Sequence, residues 1–385
     1  MIIGIPKEIM EGEKRVSVIP ETVEKLVKEG NKVLVEKGAG EGSHYLDSQY
    51  LQSGAEIISD VKDLYERSEL ILKVKEPQFI KERNLHEVDL MHEGQYLITF
   101  LHPAAPVNHE MIKNLAKKGI IGLTLDGIPR ISRAQAMDAL TSMSTCAGYK
   151  GILLAANELS KFAPQIFCAV GMIPPINTLI VGVGVGGLQA LATAKRLGAV
   201  VHAADIRPDA SEQAKSLGAK VIDTRVPKEL AVGEGGYAQA LPEDVLKNER
   251  EALREVIGGM DIVFLGALVP GRKAPKLVTE DMVSLMAPGS VIVDISIDQG
   301  GNCEITEPGK IAVKHGVTII GIKNIPGMLA TSATWMFAHN VYHLLSYLIK
   351  DGKMVIDRTD DITGSILTTI DNEVVHQGAK EAMGI

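Results

Sequence analysis

The feature that most constrains this chain is a glycine cluster, Gly182-Val-Gly184-Val-Gly186-Gly187. It lies between a continuous apolar run at residues 178–181 (TLIV) and the plain helical sequence LQALATAKRLG. An unbroken apolar run of that length reads as a strand buried on both faces. The spacing gives G-x-G-x-x-G at Gly182, Gly184 and Gly187. The first glycine permits a tight turn, and the second lets backbone approach a pyrophosphate. The third lets helix and strand pack closely, while the helix N-terminus offers NH groups and a positive dipole end. The pattern alone is a weak signal, but here a strand precedes it and a helix follows it. A second strand, AVVHAAD, ends on Asp205. An acidic residue there accepts hydrogen bonds from the adenosine ribose hydroxyls and repels a 2′-phosphate, which favours NAD over NADP. Arg207 stands two residues further on, and an arginine there can accommodate that phosphate.

The rest of the chain repeats this alternation. The 385 residues are too many for one ordinary domain. Strand patterns at residues 2–5, 32–36, 69–74, 96–100 and 120–125 alternate with amphipathic stretches such as residues 20–29 (PETVEKLVKE), which Gly30 stops. After the glycine cluster, strands are expected at residues 200–204, 220–223, 262–266, 291–295 and 318–322. This order predicts an α/β fold of two Rossmann-like domains with doubly wound, mainly parallel sheets, joined by long helices with a cleft between them. A long helix at residues 135–162 would leave the first domain, and a second from residue 330 would return to it. The expected layout is a substrate domain at residues 1–133, a dinucleotide domain at 134–330, and a return segment at 331–385 that completes the first. Residues 226–248 are polar, with Gly233, Gly235 and Gly236 close together, and read as a long loop.

Composition excludes several classes. A net charge of −8, without a basic run or an aromatic-studded basic stripe, argues against nucleic acid as a partner. Cys146, Cys168 and Cys303 are far apart, which predicts reduced, buried thiols and no zinc site. The start, MIIGIPKEIM, lacks the pattern of a signal peptide. No apolar run approaches the roughly 18 residues that suggest a membrane span. A cytoplasmic location is therefore expected, with a membrane involved only through a partner subunit.

Hydride transfer asks little of a protein beyond positioning, whereas making or breaking a C–N bond needs a cation for a carboxylate and an acid/base group. Arg15, in EGEKRVSVIP, follows the first strand and offers a bidentate carboxylate grip. Lys75 ends ILKVKEP, and Lys73 shares its parity, so strand alternation does not choose between them. His102 follows YLITFL, where a histidine is placed for proton exchange near neutral pH. Asp298 lies in VIVDISIDQGG, after a strand of the dinucleotide domain. Each is equally compatible with a plain surface charge, or with a hydrogen-bonded rim histidine or turn-forming aspartate.

Taken together, GIPKEI-x6-RVSVIP, VEKGAGEGS, LKVKEP, TFLHPA, VGVGVGG, ALVPGRKAPKLV, VIVDISIDQGGNCE and NIPG resemble the alanine dehydrogenase and pyridine-nucleotide transhydrogenase superfamily over essentially the whole chain. The resemblance implies NAD as cofactor. In its alanine dehydrogenase branch it implies that Arg15 and Lys75 bind a 2-oxo acid or amino acid, that His102 is the acid/base, and that Asp298 assists at the reacting carbon. Met143 and Ser144 would line the nicotinamide pocket, and Leu268, in ALVPGRKAPKLV, would touch the cofactor. The expected reaction is then reversible oxidative deamination of L-alanine to pyruvate and ammonium, in a homo-oligomer (hexamer or dimer). Other stretches are similar to the transhydrogenase branch. They are PRISRAQAMDALTSMS with Arg130, Gln135, Asp138 and Thr141, GGYAQAL with Tyr237, and the Asn302–Glu304 segment. The alternative they imply is the NAD(H)-binding alpha subunit of a proton-translocating NAD(P) transhydrogenase.

Overall fold

The computed structural model describes residues 1–233, 238–269 and 273–385. Tyr237, Gly235 and Gly236 lie outside the described residues. The chain divides into two compact units, one of residues 1–143 with 326–385 and one of residues 144–325.

The first unit is built on an eight-stranded sheet. Its first six strands follow the doubly wound order Glu56–Ile58, Lys32–Glu36, Ile2–Ile5, Leu70–Leu72, Tyr96–Thr99, Ile121–Thr124, all parallel. Two strands from the end of the chain, Leu367–Ile370 and Glu373–Val374, extend it antiparallel. The helix Pro20–Lys28 shows why the local sequence folds this way. Proline opens it, Val23 and Leu26 are buried one turn apart, and Gly30 follows it with φ +85°. Its exposed face carries Glu21–Lys25 and Glu24–Lys28 pairs at i,i+4.

The second unit holds a seven-stranded sheet in the order Lys220–Val221, Val200–Ala204, Asn177–Val181, Ile262–Leu265, Val291–Asp294, Val317–Ile320, Ile311–Lys314. Every pair is parallel except the last. Alternate residues of the central strands feed two cores. Ile180, Phe264, Val293 and Ile320 pack on one face with the helices Ala139–Glu158 and Val185–Arg196. Leu179, Val263, Leu265 and Ile292 pack on the other with Leu246, Leu253 and Ile257 of the helix Glu243–Ile257. This is a dinucleotide-fold order with its switch point beside Asn177–Val181.

Three expectations need correction. The segment 226–248 is not one loop, because Lys228–Ala231 is helical and Glu243–Ile257 begins inside it. Its many charges hide buried apolar positions at helical spacing, Val245, Leu246, Ala252, Leu253 and Ile257. The helix expected at 135–162 runs only from Ala139 to Glu158. A 3₁₀ turn, Ser132–Met137, precedes it, and the hairpin of Ile166–Cys168 with Gly171–Ile173 comes after it. Finally, Cys146 and Cys303 are buried but Cys168, on that hairpin, is exposed. Among the described residues no helix is long and apolar enough to cross a membrane, and no cluster of His, Cys, Asp and Glu is suited to a metal.

The helices Ala139–Glu158 and Val185–Arg196 touch through backbone. A Cβ added at Gly148 would lie 2.0 Å from the Gly186 carbonyl oxygen. Gly148→Ala is therefore expected to cost about 1–3 kcal/mol of stability through overpacking. Chemical denaturation measures this, and an unchanged midpoint contradicts it.

Candidate functional site

The glycine turn of the second unit is shaped by what glycine lacks. Gly182 has φ +84°, and a Cβ there would sit 2.6 Å from the Ala267 nitrogen. A Cβ at Gly187 would lie 2.0 Å from the Gly182 carbonyl oxygen, so helix and strand meet only because both positions are bare. At Gly184 the situation reverses, since the nearest atom to an added Cβ is Arg207 Nη2 at 3.8 Å. The space over Gly184 is thus open, at the head of Val185–Arg196, where first-turn amides have no acceptor within the helix. These features fit a dinucleotide pyrophosphate.

Asp205 ends the neighbouring strand and fastens the turn to it. Its Oδ2 accepts the Val183 amide at 2.7 Å and Arg207 Nη2 at 2.9 Å, and its Oδ1 accepts the Arg207 amide at 2.8 Å and Nε at 3.0 Å. Burial lowers the pKa of Arg207, but the bonds to Asp205 outweigh this and raise it. The arginine is thereby committed to Asp205. Leu268 follows the turn-facing Ala267 and is exposed, and Asp298 is exposed on the 3₁₀ turn Ile297–Gln299. Ser144 stands at the start of this unit, and its carbonyl oxygen would be 3.1 Å from a Cβ at Gly186.

In the first unit, Arg15, Lys75 and His102 all follow the carboxyl ends of parallel strands, where ligands of such sheets bind. Arg15 is buried, and Glu13 grips it through Nε at 2.8 Å and Nη2 at 2.6 Å. Its Nη1 lies 2.9 Å from the sulfur of Met143.

The choice between the two lysines is resolved by burial. The strand stops at Leu72, so alternation does not reach either lysine. Lys73 turns inward to Glu87 at 2.8 Å and Glu8 at 3.4 Å, while Lys75 is half-buried. Burial disfavours the Lys73 charge, yet Glu8 and Glu87 raise its pKa overall. Burial pushes Glu8 up to about 7 against the attraction of Lys73. Glu8 Oε1 accepts the Val74 amide at 2.6 Å and the Lys75 amide at 3.3 Å, so the buried cluster fixes the backbone that carries Lys75.

His102 has a partner that sequence reasoning missed. Its Nδ1 is 2.7 Å from Asp126 Oδ1, and its backbone amide donates to Asp126 Oδ2 at 2.8 Å. Thr124 Oγ1 adds a third bond at 2.5 Å. These contacts hold His102 at φ +46°, an unusual conformation for a side chain-bearing residue, with its ring stacked 5.7 Å from Phe100. The available signal was the position of Asp126 in TLDG, just past the strand that pairs with YLIT, where Thr99 lies opposite Thr124. Burial lowers the His102 pKa, but the Asp126 charge and hydrogen bond, with the Glu76 charge, raise it overall against the opposing Lys75. Burial would raise Asp126, but His102 and Thr124 hold it down at about 2. With Nδ1 donating to Asp126, Nε2 is the nitrogen left for a ligand.

The transhydrogenase-like loop is ordered by Asp138, which accepts the Thr141 amide at 2.8 Å and its hydroxyl at 2.6 Å. That bonding starts the helix Ala139–Glu158. Arg130 and Gln135 are exposed.

The His102–Asp126 pair has a definite pH sign. A raised histidine pKa stabilises the fold fully below the unfolded value and loses that contribution as pH rises through the folded value. A lowered aspartate pKa stabilises above the unfolded value and loses it as pH falls through about 2. Asp126→Asn is expected to make the His102 ring titrate at lower pH than in the wild type. NMR titration of the imidazole reads this directly, and an unmoved midpoint contradicts the pairing.

Residues 4–147 match the alanine dehydrogenase/PNT N-terminal domain, and residues 151–377 match its C-terminal domain. An NAD(P) transhydrogenase subunit alpha chain of Rhodospirillum rubrum is 42% identical over 380 residues, covering 98% of each chain. The crystal structure of transhydrogenase from Sinorhizobium meliloti superposes with a TM-score of 0.82 at 35% identity, covering 98% of this chain and 99% of that one. An L-alanine dehydrogenase structure gives the same TM-score of 0.82 at 28% identity, covering 100% and 99%. The fold is thus shared by both branches and does not separate them, and the chain belongs to the alanine dehydrogenase/PNT family of NAD(H)-binding oxidoreductases.

Proposed function

We propose that this chain is the NAD(H)-binding component of an NAD(P) transhydrogenase, exchanging hydride with NADP(H) held on a partner subunit. The observation that carries this reading is the 42% identity to a transhydrogenase alpha subunit, spread over 98% of both chains. In this role the glycine turn at Gly182, Gly184 and Gly187 receives the pyrophosphate, and Asp205 receives the adenosine ribose. Ribose hydroxyls reach Asp205 by exchanging with bonds that Arg207 makes to it. NAD supplies the hydride-accepting ring. The protein residues Met143, Ser144, Leu268 and Asp298 border it and exclude water. Gln135, on the loop that Asp138 orders, is placed to touch the nucleotide.

A second reading, an L-alanine dehydrogenase, is favoured by one specific observation. His102 is oriented by Asp126 and senses the charge of Lys75, an arrangement that hydride transfer between two nicotinamides does not require. In that reading Arg15 and Lys75 hold the substrate carboxylate and carbonyl oxygen. His102 exchanges the substrate proton, and Asp298 positions water or ammonia. L-alanine, NAD and water then give pyruvate, ammonium, NADH and a proton.

The test incubates the purified chain with L-alanine and NAD at alkaline pH, and separately with NADH, an NADP analogue and an NADP-binding transhydrogenase subunit. Hydride exchange in the second mixture with no NADH formed in the first is the expected result. Alanine-selective NADH formation overturns the transhydrogenase reading and establishes the second. His102→Ala then abolishes that turnover while NADH binding is kept.

A further inference from the structure

Two buried polar residues beside the glycine turn have no role in the reading above. In the second unit's sheet, Val200–Ala204 lies on one side of Asn177–Val181, and Ile262–Leu265 and Val291–Asp294 lie on the other. A dinucleotide across such a switch point places its adenosine on the first side and its nicotinamide on the second. Asp294 is fully buried at the end of its strand. It accepts the Ser296 amide at 3.2 Å through Oδ1, and the Cys303 amide at 3.0 Å and Thr306 Oγ1 at 3.1 Å through Oδ2. One carboxylate therefore pins both ends of the loop that carries Asp298. Gly301, inside this loop, has φ +76°, and a Cβ there would lie 2.6 Å from Asp294 Oδ2.

Asn302 reaches out of the same loop and is also fully buried. Its Oδ1 accepts the Ala267 amide at 3.0 Å, and its Nδ2 donates to the Ala267 carbonyl at 2.8 Å and the Pro275 carbonyl at 2.9 Å. Both amide hydrogens are used, and the reversed orientation would satisfy none of these three contacts. Ala267 is the residue whose nitrogen lies 2.6 Å from a Cβ built on Gly182. A continuous set of contacts thus runs from the Asp298 loop through Asn302 and Ala267 to the glycine turn, with Leu268 as the next residue.

We propose that Asn302 is a positioning residue for the nicotinamide half of the NAD(H) site, fixing Ala267 and Leu268 against the Asp298 loop. Asp294 supports it by closing that loop. The side chain is buried and touches no ligand itself. It acts through the backbone it holds, because a carbonyl left unpaired in that interior is costly and shifts to find another partner. The inference rests on the dinucleotide site lying at Gly182.

The test measures binding of NADH and of ADP, which lacks the nicotinamide riboside, to the wild type and to Asn302→Asp. The substitution keeps shape and the bond from the Ala267 amide but turns an acceptor toward two carbonyls. NADH is expected to bind about tenfold more weakly, the scale of one mispaired buried hydrogen bond, with ADP changed less than about twofold. Lowering the pH should restore NADH affinity in Asn302→Asp, because the protonated carboxyl regains a donor. A merely structural role moves both ligands together and shows no such recovery. Equal weakening of both ligands, or no change in either, overturns the proposal. Gly184→Val should lose both ligands, since it fills the open space of the turn. If it keeps both, the site lies elsewhere and the proposal falls with it, a failure distinct from one confined to Asn302. If Asn302→Asp does not fold, Asn302→Ser, which retains one donor and one acceptor, is expected to show the same split between NADH and ADP.

Discussion

The second unit depends on backbone meeting backbone at the end of its central strand. Gly187 against the Gly182 carbonyl, Gly182 against Ala267, and Gly148 against Gly186 are contacts that no side chain could survive. Together they bring two helices and a neighbouring loop onto one strand end. They leave Gly184 facing open space, with the amides of a helix start around it. The same bareness that lets the core close creates the cradle. A protein that must admit a pyrophosphate between a strand and a helix has few other ways to bring its backbone so near.

Polar residues then hold what the glycines allow. Asp205 ties the turn to the next strand through Val183 and at the same time engages Arg207. The first unit uses the same device, a buried or half-buried carboxylate that fixes a loop beyond a strand end. Glu8 holds the amides of Val74 and Lys75, Glu13 holds Arg15, and Asp126 holds both the backbone and the ring of His102. Each such carboxylate is costly to bury and is retained where it sets the direction of a cation or a ring.

The motifs that were legible in the sequence are those in which a short run specifies its own geometry. TLIV followed by GVGVGG, and the proline-opened helix at Pro20, needed no distant partner to be recognised. Alternating strand and helix patterns revealed the two parallel sheets, since each strand of such a sheet carries its own apolar signature. What stayed hidden depends on residues far apart in the chain. Asp126 matters because Thr124 lies opposite Thr99 in the sheet. Lys73 parts from Lys75 because Glu8 and Glu87 come in from elsewhere. Arg207 looked like a cation open to a 2′-phosphate until its side chain was seen folded back on Asp205. The helix Glu243–Ile257 was masked by its own charged face.

Selection of NAD(H) by Asp205 is the claim on which the nucleotide reading turns, and a direct comparison of NADH and NADPH affinity for the wild-type chain tests it. With Arg207 committed to Asp205, a 2′-phosphate would meet a carboxylate whose cation is already used. NADH is therefore predicted to bind at least about tenfold more tightly than NADPH, since like charges brought together in a site cost more than that ratio. Equal affinity for the two nucleotides would contradict this assignment. It would mean that Arg207 leaves Asp205 to take the phosphate.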